Sequence, residues 1–412
     1  MGTETSPPPY EASAYPAVSA PRRRLRGILS LKTLLVAILT TTVSLLYLTL
    51  QPRPRFRHES IIGLRATERH VRSFENNAKA CIALYHMPGT PEPSSRKENP
   101  RWQDKRGQQT KTTLRNTTLF DGEKVLPKPM DITFDKGLIV DVSETPDSWE
   151  GGTNLFGRFV TPGLVDMHSH HLIDPWPVVG HNNGNEMHPS TGPLTPFVRI
   201  LDSMAARDVA VRIIMSGGVT SSLIIPGSAN IMGGEGVPVK NVEMSGPNGE
   251  YVVEEMLLEH GVPEEERRRY IKMACGENPS RTYGHTRMAN AWMLRRQMER
   301  ARALEEKQDR YCAAMEDVLS TADEREKVKF VLREGSLPSE LELESSVGLL
   351  RGRVLMQNHC YEPRDLETML RVSREFGFRV RAFHHATEAW QVPEMLKEYG
   401  QLVDPFILRC SP

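Results

Sequence analysis

The chain has 412 residues, of which 39% are hydrophobic, and its 52 basic residues equal its 52 acidic residues in number. This balance leaves no overall positive field that would attract nucleic acid, so nucleic acid is excluded as a partner. The length leaves room for two or three structural units, and the apolar content is sufficient for a core.

The cysteines are few and widely spaced. No Cys-x-x-Cys pair occurs, which excludes a zinc knuckle and a dense disulfide framework, although one pair could still form in an oxidising compartment. The five cysteines are Cys81, Cys275, Cys312, Cys360 and Cys410.

The N-terminal segment sets the expected location. Residues 1–27 are rich in Pro, Ser and Ala and end in a cluster of arginines, so we predict a disordered basic tail. Residues 28–50 are apolar and uncharged from Thr33 onward, which is long enough to span a bilayer, while Lys32 can reach the headgroups. We predict a transmembrane helix, with a cleaved signal peptide or a buried helix as the alternatives.

The charges around residues 28–50 favour one orientation. Four arginines and Lys32 stand at its N-terminal side, against Arg53, Arg55 and Arg57 after it, so the positive-inside rule slightly favours a cytoplasmic N-terminus. This predicts a single-pass membrane protein whose C-terminal domain lies outside the cytosol. The glycosylation sequon at residues 116–118 is usable in that topology.

Two segments precede the main domain. Residues 51–111 are basic and contain proline, with a helical pattern near 68–85, and we interpret them as a stalk. Residues 112–158 contain short β-rich runs separated by Asp-Gly and Lys-Gly turns, which predict a small antiparallel sheet.

From residue 159 onward, strand-like and helix-like patterns alternate, which favours βαβ units. Helices are predicted at 196–215 and 363–376, the second with Pro363 in its first turn and Gly377 after its end. Residues 285–345 are dense in Arg, Glu, Met and Ala and predict an exposed helical insert, such as a hairpin. Strands are predicted at 159–167, 219–225, 237–242, 271–274, 354–357 and 379–383.

One of these strands ends in two imidazoles. Side chains alternate along a strand, so His168 and His170 point to the same side. Imidazole nitrogens suit zinc and related metals, and the preceding Pro-Gly turn and apolar run favour a metal site over an ordinary pair of surface or core histidines.

Five segments, taken in order, resemble the amidohydrolase superfamily, and above all its imidazolonepropionase-related branch. The resemblance covers about residues 112 to 400. It implies an α/β fold, a (β/α)8-type TIM barrel of which residues 159–412 hold about six strands, beside a partial β-sandwich at 112–158. The segments are Thr161–His170, Gly218–Asn230, Ile271–Pro279, Val354–Cys360 and Val380–Glu388, which resemble strands one, two, four, five and six.

The resemblance also implies a divalent metal, zinc in the first place. Lys272 is an alternative ligand, because many relatives carboxylate a lysine on strand four. The motif His-Ala-Thr-Glu aligns His385 with the strand-six ligand, which would turn His384 to the opposite face or toward a neighbouring helix. Asp166 shares a face with the first two histidines and could orient one of them. The implied ligands are His168, His170, Glu277, His359 and His385.

The implied reaction is hydrolysis of a carbon–nitrogen bond, other than a peptide bond, in a small-molecule substrate. Metal-bound water would supply hydroxide at neutral pH, because the metal lowers its pKa toward about 7. His181 and His188, on the loop after the first strand, could contact substrate, although loop polarity explains them equally well.

One departure from the family concerns the end of the barrel. Only residues 391–412 follow strand six, so we expect an incomplete barrel, and no position matches the strand-eight aspartate that binds metal and moves the proton in relatives. The catalytic acid or base is therefore unassigned, and unpaired edge strands would favour a homo-oligomer. Two alternatives stay open: an inactive metal-binding or interaction protein, and a deaminase of a heterocyclic substrate.

Overall fold

The structure is a computed structural model that describes residues 38–42, 58–89, 99–101, 111–148, 150–179, 183–243, 253–321 and 323–401. The chain divides into two compact units, residues 1–66 and 67–412. The described part of the first unit is a short helical piece at 38–42 and the first turns of helix α1 (His58–Tyr85). The elements below belong to the second unit.

A small sheet forms first along the chain, as the β-rich runs predicted. Its strands are β1 (Thr112–Leu119), β2 (Met130–Asp135), β3 (Leu138–Glu144), β4 (Thr153–Asn154) and β5 (Phe159–Val160). The first three pair antiparallel, and β4 and β5 pair parallel with β1. Lys136 and Gly137 join β2 to β3 at φ values of 48° and 73°, because a two-residue hairpin needs positive φ at both positions. The sheet takes in residues 159–160, which we had predicted to open the first barrel strand.

The second sheet is curved and barrel-like. Its neighbours follow chain order: β6 (Leu164–Ser169), β7 (Val219–Ile224), β8 (Met232–Lys240), β9 (Arg269–Ala274), β10 (Val354–Cys360) and β11 (Val380–His385). The first and last strands approach each other through their side chains, since His168 Nδ1 on β6 lies 3.0 Å from His384 Nδ1 on β11. The mixed α/β, barrel-like architecture predicted for this region is confirmed.

Strand β8 departs from an all-parallel barrel. The pairs β6–β7, β9–β10 and β10–β11 are parallel, whereas β8 runs antiparallel to both β7 and β9. A parallel connection needs a crossover of about a dozen residues or more, and the loop 225–231 between β7 and β8 is too short for one.

The helices of the second unit pack mainly beside β9–β11. Helix α8 coincides with the predicted 363–376, with Pro363 in its first turn and Gly377 at φ 79° after its end. The helix predicted at 196–215 is limited to α2, because β8 pairs with the backbone upstream of it at Leu194 and Arg199. The helices are α2 (Ala210–Ser216), α3 (Val253–Met256), α4 (Glu277–Tyr283), α5 (Arg287–Leu319), α6 (Glu324–Glu334), α7 (Glu344–Leu350), α8 (Pro363–Phe376) and α9 (Pro393–Gln401).

The insert forms the predicted helical hairpin, from α5 and α6. Helix α5 is not exposed all round, since a stripe with helical spacing is buried along it, including Leu294, Met298, Ala301, Leu304, Tyr311 and Met315. Helix α1, from the predicted stalk, packs on this hairpin: the Phe74 and Phe330 rings are 5.6 Å apart and a disulfide joins Cys81 to Cys312. Cys275 and Cys360 lie side by side at the C-terminal ends of β9 and β10, with their Cα atoms 5.3 Å apart.

The predicted membrane location is contradicted by the helices that the structure describes. Within the ranges that the structure describes, no helix combines the length and the apolar character needed to cross a membrane. The longest helices among them, α1 and α5, each carry many charged residues. Of the predicted span 28–50, only residues 38–42 are described; the rest of the span and the basic tail lie outside the described residues.

Candidate active site

Imidazoles from both ends of the curved sheet meet at the C-terminal ends of its strands. His168 is on β6 and His170 directly follows it, and their Nε2 atoms lie 3.1 Å apart. They point to the same side, as the alternation of a strand requires. The C-terminal ends of the strands are also where barrel enzymes place their catalytic groups.

The middle of the sheet contributes an acid and a third imidazole. Glu277 is the first residue of α4, just after β9, and its Oε1 lies 2.6 Å from Nε2 of His359 on β10. His359 is 1% exposed, and Asn278 Nδ2 lies 3.2 Å from the same nitrogen. Glu277 Oε2 and His359 Nδ1 are buried, and neither has a hydrogen-bond partner among the described residues.

The two histidines of β11 are placed differently from the prediction. His384 is buried and faces inward, with Nδ1 3.0 Å from His168 and Nε2 2.7 Å from Gln357 Oε1. Its predicted orientation, away from the site, is therefore wrong. His385 also comes near, since its ring centre is 4.6 Å from that of His168 and 5.1 Å from that of His359. Its φ of 61° interrupts the alternation of the strand, so both rings of the pair reach the same region.

The hydrogen bonds assign the ring protons. His170 Nδ1 donates to the Ile225 carbonyl at 2.6 Å, which leaves a lone pair on its Nε2. His384 Nε2 donates to Gln357, so its Nδ1 accepts from His168 Nδ1, and His168 Nε2 then also carries a lone pair. Two lone pairs thus face each other across 3.1 Å, an arrangement that is repulsive unless a cation or proton lies between them.

A proton is disfavoured at these nitrogens. Burial, followed by the charge of Lys272, lowers the pKa of His168 to about 2 and that of His384 to about 3. Burial also lowers the pKa of His170, His359 and His385. The imidazoles are therefore neutral at physiological pH, which is the form that binds metal.

Lys272 lies within this histidine cluster. Its side chain is fully buried on β9, and burial alone lowers its pKa to about 7. Its Nζ donates to the Pro226 carbonyl at 3.4 Å. A buried amine of this kind is available in its neutral form near neutral pH.

The other predicted residues lie at the margin. Asp166 does not contact an imidazole; its Oδ1 accepts from the backbone N–H of His168 at 3.0 Å. His188 is exposed and pairs with Ser190 through Nδ1. His181 lies outside the described residues. The structure therefore does not bring His188 to the site.

Several supporting residues were missed from the sequence. Gln357, Asn278 and the Ile225 carbonyl contact site imidazoles directly. Alternation on β10 could have found Gln357, because it shares a face with His359. No sequence signal identifies a backbone carbonyl.

The donors are of the chemical kinds that bind a divalent metal. Two zinc-bound nitrogens at about 2.0–2.1 Å from the ion would lie roughly 3.3 Å apart in a tetrahedral site, close to the separation of the two Nε2 atoms. Unpaired Glu277 Oε2 adds an oxygen donor of the expected type. Among the residues described, however, no three His, Cys, Asp or Glu side chains converge in an arrangement that would hold a metal ion.

Comparison with known proteins supports the resemblance. No family profile matches the sequence. The chain is 35% identical over 354 residues to amidohydrolase tasK of Hapsidospora irregularis; the match covers 79% of this chain and 34% of that protein, so the chain spans about a third of the relative's length. It also resembles the crystal structure of an amidohydrolase from Thermotoga maritima MSB8, with a TM-score of 0.54 and 28% identity over 70% of this chain and 67% of that chain. On the sequence match, the fold and the histidine-bearing strand ends together, this chain belongs to the amidohydrolase superfamily.

Proposed function

We propose that this chain carries the active site of a metal-dependent hydrolase that cleaves carbon–nitrogen bonds, other than peptide bonds, in small molecules. The observation that carries the proposal is the pair of unprotonated Nε2 atoms of His168 and His170, 3.1 Å apart at the end of a barrel strand. Similarity to two proteins named amidohydrolases supports the type of reaction.

The residues that would hold the metal are the ligands predicted from the sequence. His168 and His170 would bind it through Nε2, and Glu277, His359 and His385 are the further donors within the cluster, with Lys272 and His384 as alternatives. A bound divalent metal, zinc in the first place, would lower the pKa of its water toward about 7 and polarise the scissile carbonyl.

The chain's own residues prepare these donors. The Ile225 carbonyl holds the proton of His170 on Nδ1, and Gln357 holds that of His384 on Nε2, so the inward nitrogens keep their lone pairs. Burial keeps all of these rings neutral. Asp166 holds the backbone N–H of His168 and thereby the end of β6.

Substrate choice follows from the branch that the motifs resemble. The resemblance to the imidazolonepropionase-related branch favours a small cyclic amide over an N-acyl sugar or a dipeptide. The loops that follow the strands would contact the substrate, because barrel enzymes build their sites from these loops, which vary independently of the barrel.

The proposal is tested on the full chain by metal analysis and by hydrolysis of cyclic amides. We expect the wild-type chain to bind zinc stoichiometrically and to hydrolyse at least one of these substrates. The double variant His168→Ala/His170→Ala should weaken zinc binding by more than about 100-fold, because it removes two ligands rather than a supporting contact. The control His188→Ala removes an exposed imidazole and should leave binding unchanged.

The other outcomes are informative. A wild-type chain without stoichiometric metal, or a double variant with unchanged metal content, would contradict the proposal. Tight metal without hydrolysis of cyclic amides, N-acyl sugars or dipeptides would favour an inactive metal-binding protein. Release of ammonia from aminated heterocycles would favour a deaminase.

A further inference from the structure

The short loop between β7 and β8, residues 225–231, contacts both halves of the candidate active site. The Ile225 carbonyl accepts the proton of His170 Nδ1 at 2.6 Å, and the Pro226 carbonyl accepts from Lys272 Nζ at 3.4 Å. Two consecutive carbonyls of one loop thus reach side chains at the end of β6 and on β9. The position of this loop therefore affects both groups at once.

Backbone hydrogen bonds hold only the ends of this loop. The Ile225 N–H donates to the Ser169 carbonyl at 3.0 Å, and the Ile231 carbonyl accepts the Ala274 N–H at 3.1 Å. Among the residues that the structure describes, 226–230 make no hydrogen bond from backbone to backbone. Side chains must therefore hold the middle of the loop.

Asn185 holds the middle of the loop from the segment between β6 and β7. It is 8% exposed, and its Oδ1 accepts the Gly227 N–H at 2.9 Å, which places the oxygen because a backbone N–H only donates. The amide nitrogen then donates to Asp174 Oδ2 at 2.9 Å. Asn185 therefore ties the residue after Pro226 to the segment that follows His170.

Asn230 holds the loop from the other side. It is 1% exposed, and its Nδ2 donates to Thr195 Oγ1 at 2.7 Å. Its Oδ1 accepts from the Tyr283 hydroxyl at 2.6 Å. Tyr283 is the last residue of α4, the helix that begins with Glu277. The loop is thereby joined to the helix that carries the predicted carboxylate ligand.

The amide group suits both positions. Its oxygen accepts and its nitrogen donates, so one uncharged side chain bonds an N–H or O–H group on one side and an oxygen on the other. Within the described part of the chain, neither asparagine is hydrogen-bonded to an imidazole of the site. Their contribution to the site therefore passes through the loop.

We propose that Asn185 and Asn230 are positioning residues of the candidate active site: they fix the 225–231 loop, so that its Ile225 carbonyl keeps the proton of His170 on Nδ1. They act on metal binding indirectly, through the lone pair that this placement of the proton leaves on His170 Nε2. The inference rests on the proposed function, since it concerns the same site. Its first readout, the ring proton, requires no metal.

The test compares the full chain with its Asn185→Ala variant. Nitrogen NMR of the metal-free protein should show His170 protonated on Nδ1 in the wild type and a mixture of the two ring forms in the variant. The His170→Ala spectrum assigns the signals. Hydrogen exchange should rise over residues 225–231 in Asn185→Ala, and zinc binding should weaken about tenfold, the lower end of the effect of removing support from a metal ligand.

An exchange of the two bonded side chains tests geometry apart from residue identity. The double variant Asn185→Asp/Asp174→Asn keeps an acceptor for the Gly227 N–H, keeps a donor and an acceptor between the two side chains, and leaves the net charge unchanged. It should restore the Nδ1 proton of His170 and bring zinc affinity close to the wild-type value.

A buried amide elsewhere in the molecule is the control for lost stability. Gln297 on α5 is 4% exposed, and its Nε2 lies within hydrogen-bond distance of the Glu342 carbonyl and Ser346 Oγ. Gln297→Ala should lower the melting temperature without changing the His170 ring proton or zinc affinity.

A milder variant decides if Asn185→Ala does not fold. Tyr283→Phe keeps the ring and removes only the hydroxyl that Asn230 accepts. It should raise hydrogen exchange over residues 228–231 and weaken zinc binding, whereas the wild-type values in both measurements would count against the proposal.

Three further results would overturn the inference. They are an unchanged ring proton and loop exchange in Asn185→Ala, an exchanged pair that restores neither, and zinc binding that Gln297→Ala weakens to the same extent. A wild-type chain that binds no zinc would remove the proposed function only, because the ring proton and the loop exchange would still decide the role of the two asparagines.

Discussion

Strands β6 and β10 both deliver imidazoles to the candidate site, but they are supported in different ways. On β10, the side chains that face away from the site are buried, and Met356 is fully enclosed by the main core. On β6, the corresponding face is open, since Val165 is 68% exposed and Met167 50%. Packing against the core therefore positions β10 and its His359. Strand β6 lacks this packing, so hydrogen bonds around the ends of β6 must position it.

The polar support of β6 is concentrated in the loop that follows it. Asp208, which is buried, accepts the backbone N–H groups of Leu172, Trp176 and Ala210 at 2.8–2.9 Å. Ser169 and Asn241 hold the buried His171 ring from its two nitrogens. The comparison teaches that one half of the site depends on the apolar core and the other on a few polar contacts.

The largest expected effect tests the packing of β10. Met356→Ala removes a fully buried side chain and should lower the free energy of unfolding by about 2–5 kcal/mol, because it leaves a cavity. Met167→Ala is the matched control on β6 and should change it by less than about 0.5 kcal/mol, since that side chain is half exposed. Urea denaturation measures both. Equal costs would remove the contrast between the two strands.

The next effect tests the polar support of β6. Asp208→Ala leaves three backbone N–H groups without their acceptor and should cost about 2–3 kcal/mol. It should also raise hydrogen exchange in residues 170–176. Asp202→Ala, which removes an exposed pair with Arg199, should cost about 0–1 kcal/mol. A loop 170–176 that stays protected in Asp208→Ala would show that other contacts hold the end of β6.

The smallest effect concerns the turn that leads from β9 to Glu277. Gly276 has φ 73°, and an added Cβ would collide with the carboxylate of Asp365. Gly276→Ala should therefore cost about 1–3 kcal/mol through strain and displacement of that carboxylate from Arg287. Gly284, at the other end of α4, has a similar φ of 71° but open space around it. Thermal melting of Gly284→Ala measures the strain alone, and equal melting temperatures for the two variants would exclude a role for the collision.

Local patterns were sufficient for much of the architecture. The apolar run that leads into His168 and His170 predicted a strand with both rings on one side, because alternation is a property of the strand itself. Helix α8 was predicted at its observed bounds, since proline and glycine mark its ends. The helical insert followed from its composition in the same way.

Local sequence patterns could not predict contacts between residues that are distant in the chain. The antiparallel course of β8 depends on how its edges pair with β7 and β9, and the exposed or buried state of residues near Cys275 depends on α5 and α8. The partners of the Cys81–Cys312 disulfide are 231 residues apart in sequence, so spacing alone could not assign them.

The sequence by itself determined which residue types could bind a metal and on which strands they lie, because those properties depend on side-chain chemistry and strand period. Only the tertiary structure decided that His384 faces His168, that His385 reaches the same region, and that Gln357 and the Ile225 carbonyl set the ring protons. These contacts arise where the curved sheet brings β6 near β11, more than 200 residues apart in the chain. A positive φ at His385 and the closing of the sheet are set by the packed fold, not by any neighbouring residue.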